Sequence, residues 1–502
     1  MRKLLRVLFS RYMLSALLIL LEIGLLTYLI VEMSYYSIAF LLFVAFIDFA
    51  VLISIINADY NPEYRVTWMA VVMLVPVLGA VLYLLFRRRT MSRKEQKLAL
   101  GILGEINRYG DDTENLNDLG EKDALARGKA CGILASDPAA RLYRASSSTF
   151  YPTGESMFLD MISALGNAEH FIFLEYFIIN EGEMWNSIHA ILKEKAAQGV
   201  EVRVMYDDIG CMRTLSRHYD KQLESEGIHA VCFSRVNPRV TAVHNNRDHR
   251  KILVIDGRIA FTGGINIADE YINQIERFGY WKDGGVSVCG ECVQGFTKLF
   301  LTLWDMSKGT VSDYTTFLDQ HTCKGMQSDG GYYLPFGSGP QPMYSRQVGK
   351  RAFIDVINQA KKYVYITTPY LIIDFDLTEA LAAAAERGVD VRIITPGIAD
   401  KKMIKVVTKS AYPRLMSSDV RIYEYTPGFM HMKSLVADDE YAIVGTINFD
   451  YRSLVHHFED ALWMYSSPSI AAVRDDFMAS IAQSREMTAK DARLSPIEWI
   501  VK

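Results

Sequence analysis

From about residue 168 onward the sequence repeats itself in order, at an offset of roughly 190 residues, and this repeat limits the fold more than any other feature. Ala168-Glu-His-Phe-Ile-Phe-Leu-Glu-Tyr is answered by Ala360-Lys-Lys-Tyr-Val-Tyr-Ile-Thr-Thr-Pro-Tyr. Gly199-Val-Glu-Val-Arg-Val-Met-Tyr-Asp is answered by Gly388-Val-Asp-Val-Arg-Ile-Ile-Thr-Pro, and His249-Arg-Lys-Ile-Leu-Val-Ile-Asp by His431-Met-Lys-Ser-Leu-Val-Ala-Asp. Within each copy, apolar β-branched runs alternate with helical stretches such as Met184 to Lys195 and Leu377 to Ala385. That alternation predicts an α/β fold in which helices cover a sheet. Two such domains, over 146–325 and 326–502, would pack about a pseudo-twofold axis, bring equivalent strand ends together and share one composite site.

The chemistry sits in the third repeated block. Residues two apart in a strand face the same way, so His249 projects with Lys251 and His431 with Lys433. An imidazole beside a fixed ammonium suits attack on a phosphodiester: a neutral nucleophile is not repelled by the anion, and lysines hold its oxygens. One His-x-Lys alone also describes a solvated strand edge. Here both copies continue to a glycine and an asparagine at matched distance, Gly263-Gly264-Ile-Asn266 and Gly445-Thr446-Ile-Asn448. Asp256 and Asp438 complete the repeated motif, and with the histidines and lysines they make up its candidate catalytic set. They lie seven residues past their histidines, on the opposite strand face and roughly 23 Å along at 3.3 Å per residue. That position favours a role in ending the strand, so other carboxylates must orient the imidazoles.

The pattern H-x-K-x4-D-x6-G-[GT]-x-N, present twice, resembles the phospholipase D superfamily, and within it the chain is most similar to the bacterial cardiolipin synthases. The resemblance runs from about Val66 to Glu486. It takes in Trp68 with Val75-Pro-Val-Leu-Gly-Ala, Trp281-Lys-Asp283, Thr367-Thr-Pro-Tyr and Asn448-Phe-Asp-Tyr-Arg-Ser453. It implies paired α/β/α sandwich domains of the phospholipase D type, His249 as nucleophile and His431 as acid and base. Lys251, Lys433, Asn266 and Asn448 would hold phosphate, and Asp283 and Glu459 would orient the histidines. It further implies a two-step transfer without cofactor or metal, in which one phosphatidylglycerol gives its phosphatidyl group to another, forming cardiolipin and glycerol. Water or another alcohol as acceptor would make a hydrolase or a different synthase of the same scaffold. The chain departs from the family at His457, where many synthases carry asparagine; His456 and His457 read as ordinary loop packing. Glu175 reads equally as a site-lining group or a strand-end carboxylate.

Half the residues are hydrophobic, but the excess is concentrated before Arg87. Tyr12 to Val31, Ser37 to Ile56 and Val66 to Phe86 each reach the roughly 20 residues a bilayer crossing needs. The expectation is an amino-terminal segment over 1–94 with two or three transmembrane helices, the third the clearest; the first carries Glu22 and the second Asp48, each costly at a helix centre. The apolar run is too long, and lacks the cleavage pattern, for a removable signal peptide. Basic clusters at Arg2, Lys3, Arg6 and Arg11 and at Arg87, Arg88, Arg89, Arg93 and Lys94 both favour the cytoplasm, which three crossings forbid. The denser second cluster places the body in the cytosol at the cell membrane, with membrane lipids as its partners. Residues 95–145 read as a polar connector with some helix. A net charge of −4 disfavours a general nucleic-acid binder. Of six cysteines only Cys289 and Cys292 fall in a C-x-x-C spacing, without the second pair a zinc site requires; two half-buried thiols is the simpler reading.

Overall fold

A computed structural model of the chain describes residues 38–58, 62–86, 93–110, 112–235, 246–318, 328–344 and 346–495, with a few isolated positions before residue 33. It divides into two compact units, Met1–Thr90 with Val236–His244, and Met91–Arg235 with Asn245–Lys502.

The larger unit holds two mixed sheets. The first runs Ser146–Tyr151, Gly285–Gly290, Ile259–Gly263, Lys251–Ile255, Phe171–Tyr176, Glu201–Asp207, His229–Phe233. The second runs Tyr332–Ser338, Glu459–Tyr465, Tyr441–Gly445, Ser434–Ala437, Tyr363–Thr367, Asp390–Pro396, Arg421–Tyr425, with Ser484–Glu486 added at its edge. The order is the same in both, as is the mixture: the last three strands of each common set are parallel, the rest antiparallel. Phe171–Tyr176 and Tyr363–Thr367 are buried along their whole length, as strands covered on both faces must be. The α/β expectation therefore holds at the level of topology.

A single apolar cluster joins the two sheets. It includes Phe173, Val254 and Val288 of the first, Leu334, Ile366 and Ile443 of the second, and Phe296, Phe300 and Leu303 of the helix Val293–Lys308. That helix is buried on every side from Val293 to Asp305, which marks it as a central element rather than a surface one. The segment expected to be a polar connector is also part of this core. Arg93–Ile106, Thr113–Lys122 and Ala124–Leu134 are helices, and Ala99, Ile102, Leu103 and Ile106 bury a stripe at helical spacing.

The carboxylates of Asp256 and Asp438 are engaged by backbone at the strand ends, where the sequence position put them. Each follows its strand with positive φ, +55° and +58°. The Asp256 carboxylate accepts the backbone N–H groups of Glu169, His170 and Phe171 at 2.7–2.8 Å, and Asp438 those of Lys361, Lys362 and Tyr363 at 2.7–2.9 Å. They tie the far end of the motif strand to the start of the neighbouring antiparallel strand.

In the smaller unit, α1 (Ile38–Ile56), α2 (Pro62–Leu74) and α3 (Leu78–Phe86) pack around Val51, Ile55, Val72, Ala80 and Tyr83. The stretch Val66 to Phe86, expected as one crossing helix, is instead folded back on itself. Pro76 has no N–H to continue a helix, and Val77 takes φ +64°. The Trp68 and Tyr83 rings lie 5.5 Å apart, and a Cβ at Gly79 would stand 2.6 Å from the Val71 carbonyl, so only glycine admits this approach. No helix among the described residues is long and apolar enough to cross a membrane. Most of the stretch Tyr12 to Val31, with Glu22, and the basic residues Arg2, Lys3, Arg6, Arg11, Arg87, Arg88 and Arg89 lie outside the described residues, as does Cys323. The other five cysteines form no disulfide.

Replacing Asp438 by alanine strands three backbone donors, and bonds to a charged acceptor are each worth about 1.5–3 kcal/mol. Asp438→Ala is expected to lower the unfolding temperature of the detergent-solubilised protein clearly, while turnover per folded molecule persists. Loss of turnover at unchanged stability would return Asp438 to the catalytic set.

Candidate active site

The two motif histidines stand just before their strands, in extended segments whose backbone is held by the opposite half. The His249 N–H donates to the Phe458 carbonyl at 2.8 Å, and the His431 N–H to the Lys282 carbonyl at 2.7 Å. Phe458 directly precedes Glu459, and Lys282 directly precedes Asp283. Those two backbone bonds therefore carry each imidazole to a carboxylate from the other copy. His249 Nδ1 lies 2.9 Å from Glu459, and His431 Nδ1 lies 2.5 Å from Asp283. The resemblance named Asp283 and Glu459, and the structure sets each beside the imidazole of the other copy.

Each carboxylate is itself fixed. Glu459 accepts from the Thr446 hydroxyl at 2.5 Å and from the Ser453 hydroxyl. Asp283 accepts from the Gly284 N–H at 2.9 Å, and a Cβ at Gly264 would stand 2.0 Å from its Oδ1. This accounts for the glycine and threonine alternatives in the repeat: one copy needs space for an aspartate, the other a donor for a glutamate. With Nδ1 of each ring turned to a carboxylate, His249 is left its Nε2 for reaction, whereas the Nε2 of His431 lies 3.1 Å from the Lys433 ammonium. Tyr271, Trp281 and Phe429 surround the His431 ring at 5.4–5.6 Å, and Phe177 meets the His249 ring at 5.0 Å.

All four motif side chains are buried: His249 is 8% exposed, His431 7%, Lys251 1% and Lys433 3%. Burial pushes His249 down to about 3 against the pull of Glu459, and pushes His431 down to about 4, helped by the charge of Lys433. Burial alone would raise the Glu459 carboxyl, but the imidazoles beside it hold it well below the ordinary range. Both histidines are thus neutral at pH 7. Burial also brings Lys251 to about 8 and Lys433 to about 7, and Lys251 opposes the charge of Lys433, which places the two half-sites in one electrostatic cluster. Each ammonium donates to the carbonyl of its own histidine, at 2.7 and 2.5 Å, and that of Lys433 also lies 2.8 and 3.1 Å from the two ring nitrogens of His431.

The asparagines differ. Asn266 accepts from the Ile178 N–H and donates to the Tyr271 hydroxyl at 2.7 Å, whereas the buried Oδ1 of Asn448 has no partner among the described residues. Beneath the histidines lies a polar layer that sequence reasoning missed. Arg250, fully buried, donates to the Leu299 carbonyl, the Glu459 carbonyl and the Tyr344 hydroxyl, while Arg247 makes a buried pair with Asp207 at 2.9 Å. Glu175 belongs to this layer, 3.9 Å from Arg250, with its carboxyl pushed well above the ordinary range by burial. Its only sequence signal was position, one residue from the end of a strand.

His457 is close enough to matter chemically: its Nδ1 is 3.6 Å from Glu459 and its ring 5.4 Å from that of His249. Ligand atoms of His249, His457 and Glu459 lie within 4.8 Å of one another, a donor set suited to a transition-metal ion.

The family described as "Cardiolipin synthase, PLD-like domain" matches residues 161–304 and 353–481, and "Phospholipase_D-nuclease N-terminal" matches 38–88. A cardiolipin synthase of Alkalihalophilus pseudofirmus is 34% identical over 90% of this chain and 88% of its own length. One from Geobacillus kaustophilus is 34% identical over 86% of this chain and 84% of its own. An uncharacterized protein of Streptococcus mutans is 44% identical over 86% of this chain and 93% of its own. Among solved structures, a phosphatidylserine synthase of Haemophilus influenzae shares the fold, with a TM-score of 0.56, 15% identity and coverage of 76% of this chain and 96% of that one.

Whichever His249 nitrogen a metal took, the other would carry the proton, and the ring would lose its reactive lone pair. Zinc chloride is therefore expected to inhibit, EDTA to restore activity, and His457→Asn to need at least tenfold more zinc. Equal sensitivity of the variant would show that His457 is not a ligand.

Proposed function

The chain belongs to the family of cardiolipin synthases with phospholipase D-like domains, and from that premise we propose that it joins two phosphatidylglycerol molecules into cardiolipin and glycerol by way of a phosphatidyl-histidine. The observation that carries the reading is the crossed pairing: two neutral imidazoles, each held by a buried carboxylate of the opposite half, with two ammonium groups among them.

His249 is the nucleophile. Its Nδ1–H is held by Glu459, so the Nε2 lone pair attacks phosphorus. Lys251, Lys433 and the amides of Asn266 and Asn448 hold the non-bridging oxygens as charge develops on them. The arriving anion favours a proton on His431, which that residue gives to the departing glycerol oxygen as the P–O bond breaks. In the second step the neutral His431 takes the proton from a hydroxyl of the second phosphatidylglycerol, whose oxygen displaces His249. One phosphodiester is exchanged for another, so no nucleotide is consumed. Asp283 stabilises the imidazolium at His431 as Glu459 does at His249. The enzyme is embedded in the cell membrane with its body on the cytosolic face, where both lipid substrates are held at high local concentration.

Detergent-solubilised protein incubated with phosphatidylglycerol should yield cardiolipin and an equal amount of glycerol, and His249→Ala neither. Phosphatidic acid in place of cardiolipin would make water the acceptor and sink the synthase reading. Peptide mapping of the quenched enzyme should find the phosphatidyl group on His249; an adduct on His431 would reverse the two roles.

The lysines set a pH limit of definite sign. Their pKa values are lowered, so charge is lost as pH rises through about 7 and 8. On that basis kcat/KM should decline above this range, and Lys433→Arg, charged past pH 12, should flatten the decline in whatever activity it retains. A profile level to pH 9 would rule out the lysines as its cause.

A further inference from the structure

We propose that α2 and α3 form a re-entrant hairpin that enters and leaves the bilayer by the same face, its apolar tip buried among the acyl chains of one leaflet. The inference concerns the smaller unit alone and does not depend on the acceptor used by the catalytic body.

Length is the first argument. At 1.5 Å per residue, the 13 residues of α2 extend about 20 Å and the nine of α3 about 14 Å, against a hydrocarbon core of about 30 Å. Neither arm crosses: the first extends past the bilayer middle and the second stops just short of it. The second argument is charge. In the sequence, one arm starts at Pro62-Glu63-Tyr64-Arg65 and the other runs directly into Arg87-Arg88-Arg89, so charge flanks the pair of helices and is absent from the turn between them. The closed end is apolar and uncovered: Met73 is 67% exposed and Leu74 81%. On α1, Leu42, Phe43, Phe46 and Phe49 are exposed as well. An uncovered apolar surface of this kind, bounded by charge at one end, fits lipid.

The third argument is the turn itself. Backbone polar groups in hydrocarbon must be satisfied within the protein. The Val77 N–H, which the break at Pro76 releases from the helix, donates to the Asp48 carboxylate of α1 at 3.1 and 3.2 Å. This gives a purpose to the one acid in an otherwise apolar helix. It also fixes depth: Asp48 lies eight residues, about 12 Å, before the end of α1 at Ile56, which sets the tip level with the middle of that helix.

A hairpin that returns to its own face adds no crossing. The number of crossings expected from apolar length then falls by one.

Single cysteines at Ala58, Lys94 and Leu74 would be introduced into the full chain and treated with a membrane-impermeant maleimide in right-side-out and inverted vesicles. Peptide mass spectrometry separates these labels from the native cysteines, and cardiolipin output is measured in the same membranes. Ala58→Cys and Lys94→Cys should react in the same vesicle type, and Leu74→Cys in neither until detergent is added. Reaction of Ala58→Cys and Lys94→Cys on opposite sides, or of Leu74→Cys in intact vesicles, overturns the hairpin. Cardiolipin output tests the proposed activity separately and is expected whichever way the labels fall.

Discussion

Each imidazole of this active site is held by a carboxylate from the other half of the chain, and most of the larger unit can be understood as what that requires. His249 needs Glu459, and His431 needs Asp283. Neither pair exists within one repeat, so neither repeat alone carries an oriented histidine. The backbone bonds from His249 to Phe458 and from His431 to Lys282 set the pairing before any side chain is considered. The buried carboxylates are then satisfied by nearby hydroxyls and amides, as charges removed from water must be.

The repeat made the fold readable because strand order follows from it: two copies of one pattern became two sheets of one topology. Asp256 and Asp438 were readable too, since seven residues of strand carry them away from the histidines, and the structure finds them holding backbone N–H groups there. The crossing was not readable. A carboxylate about 30 residues beyond a histidine sits equally well beside its own imidazole or its counterpart's, and only packing of the halves decides. The same holds for Arg250, Asp207 and Arg247, whose partners are distant in sequence.

Two misreadings have physical causes. Hydropathy averages over Val66 to Phe86 and cannot see that Pro76 and Gly79 fold the segment back, although both residues were in plain view. Residues 95–145 contain enough charge to look like a connector, yet the stripe of Ala99, Ile102 and Ile106 needed only helical spacing to be found. Average polarity hid a pattern in one case and average apolarity hid a break in the other.

The helix Val293–Lys308 has a further consequence. Buried from Val293 to Asp305 in a cluster that draws on both sheets, it makes the two repeats one cooperative body rather than two associated ones. A site completed across two separate subunits would assemble by mass action and fade at low copy number. Here the complementary half is always supplied by the same polypeptide. The fraction of assembled sites is therefore set by folding alone, and a scarce enzyme keeps every site whole at any dilution.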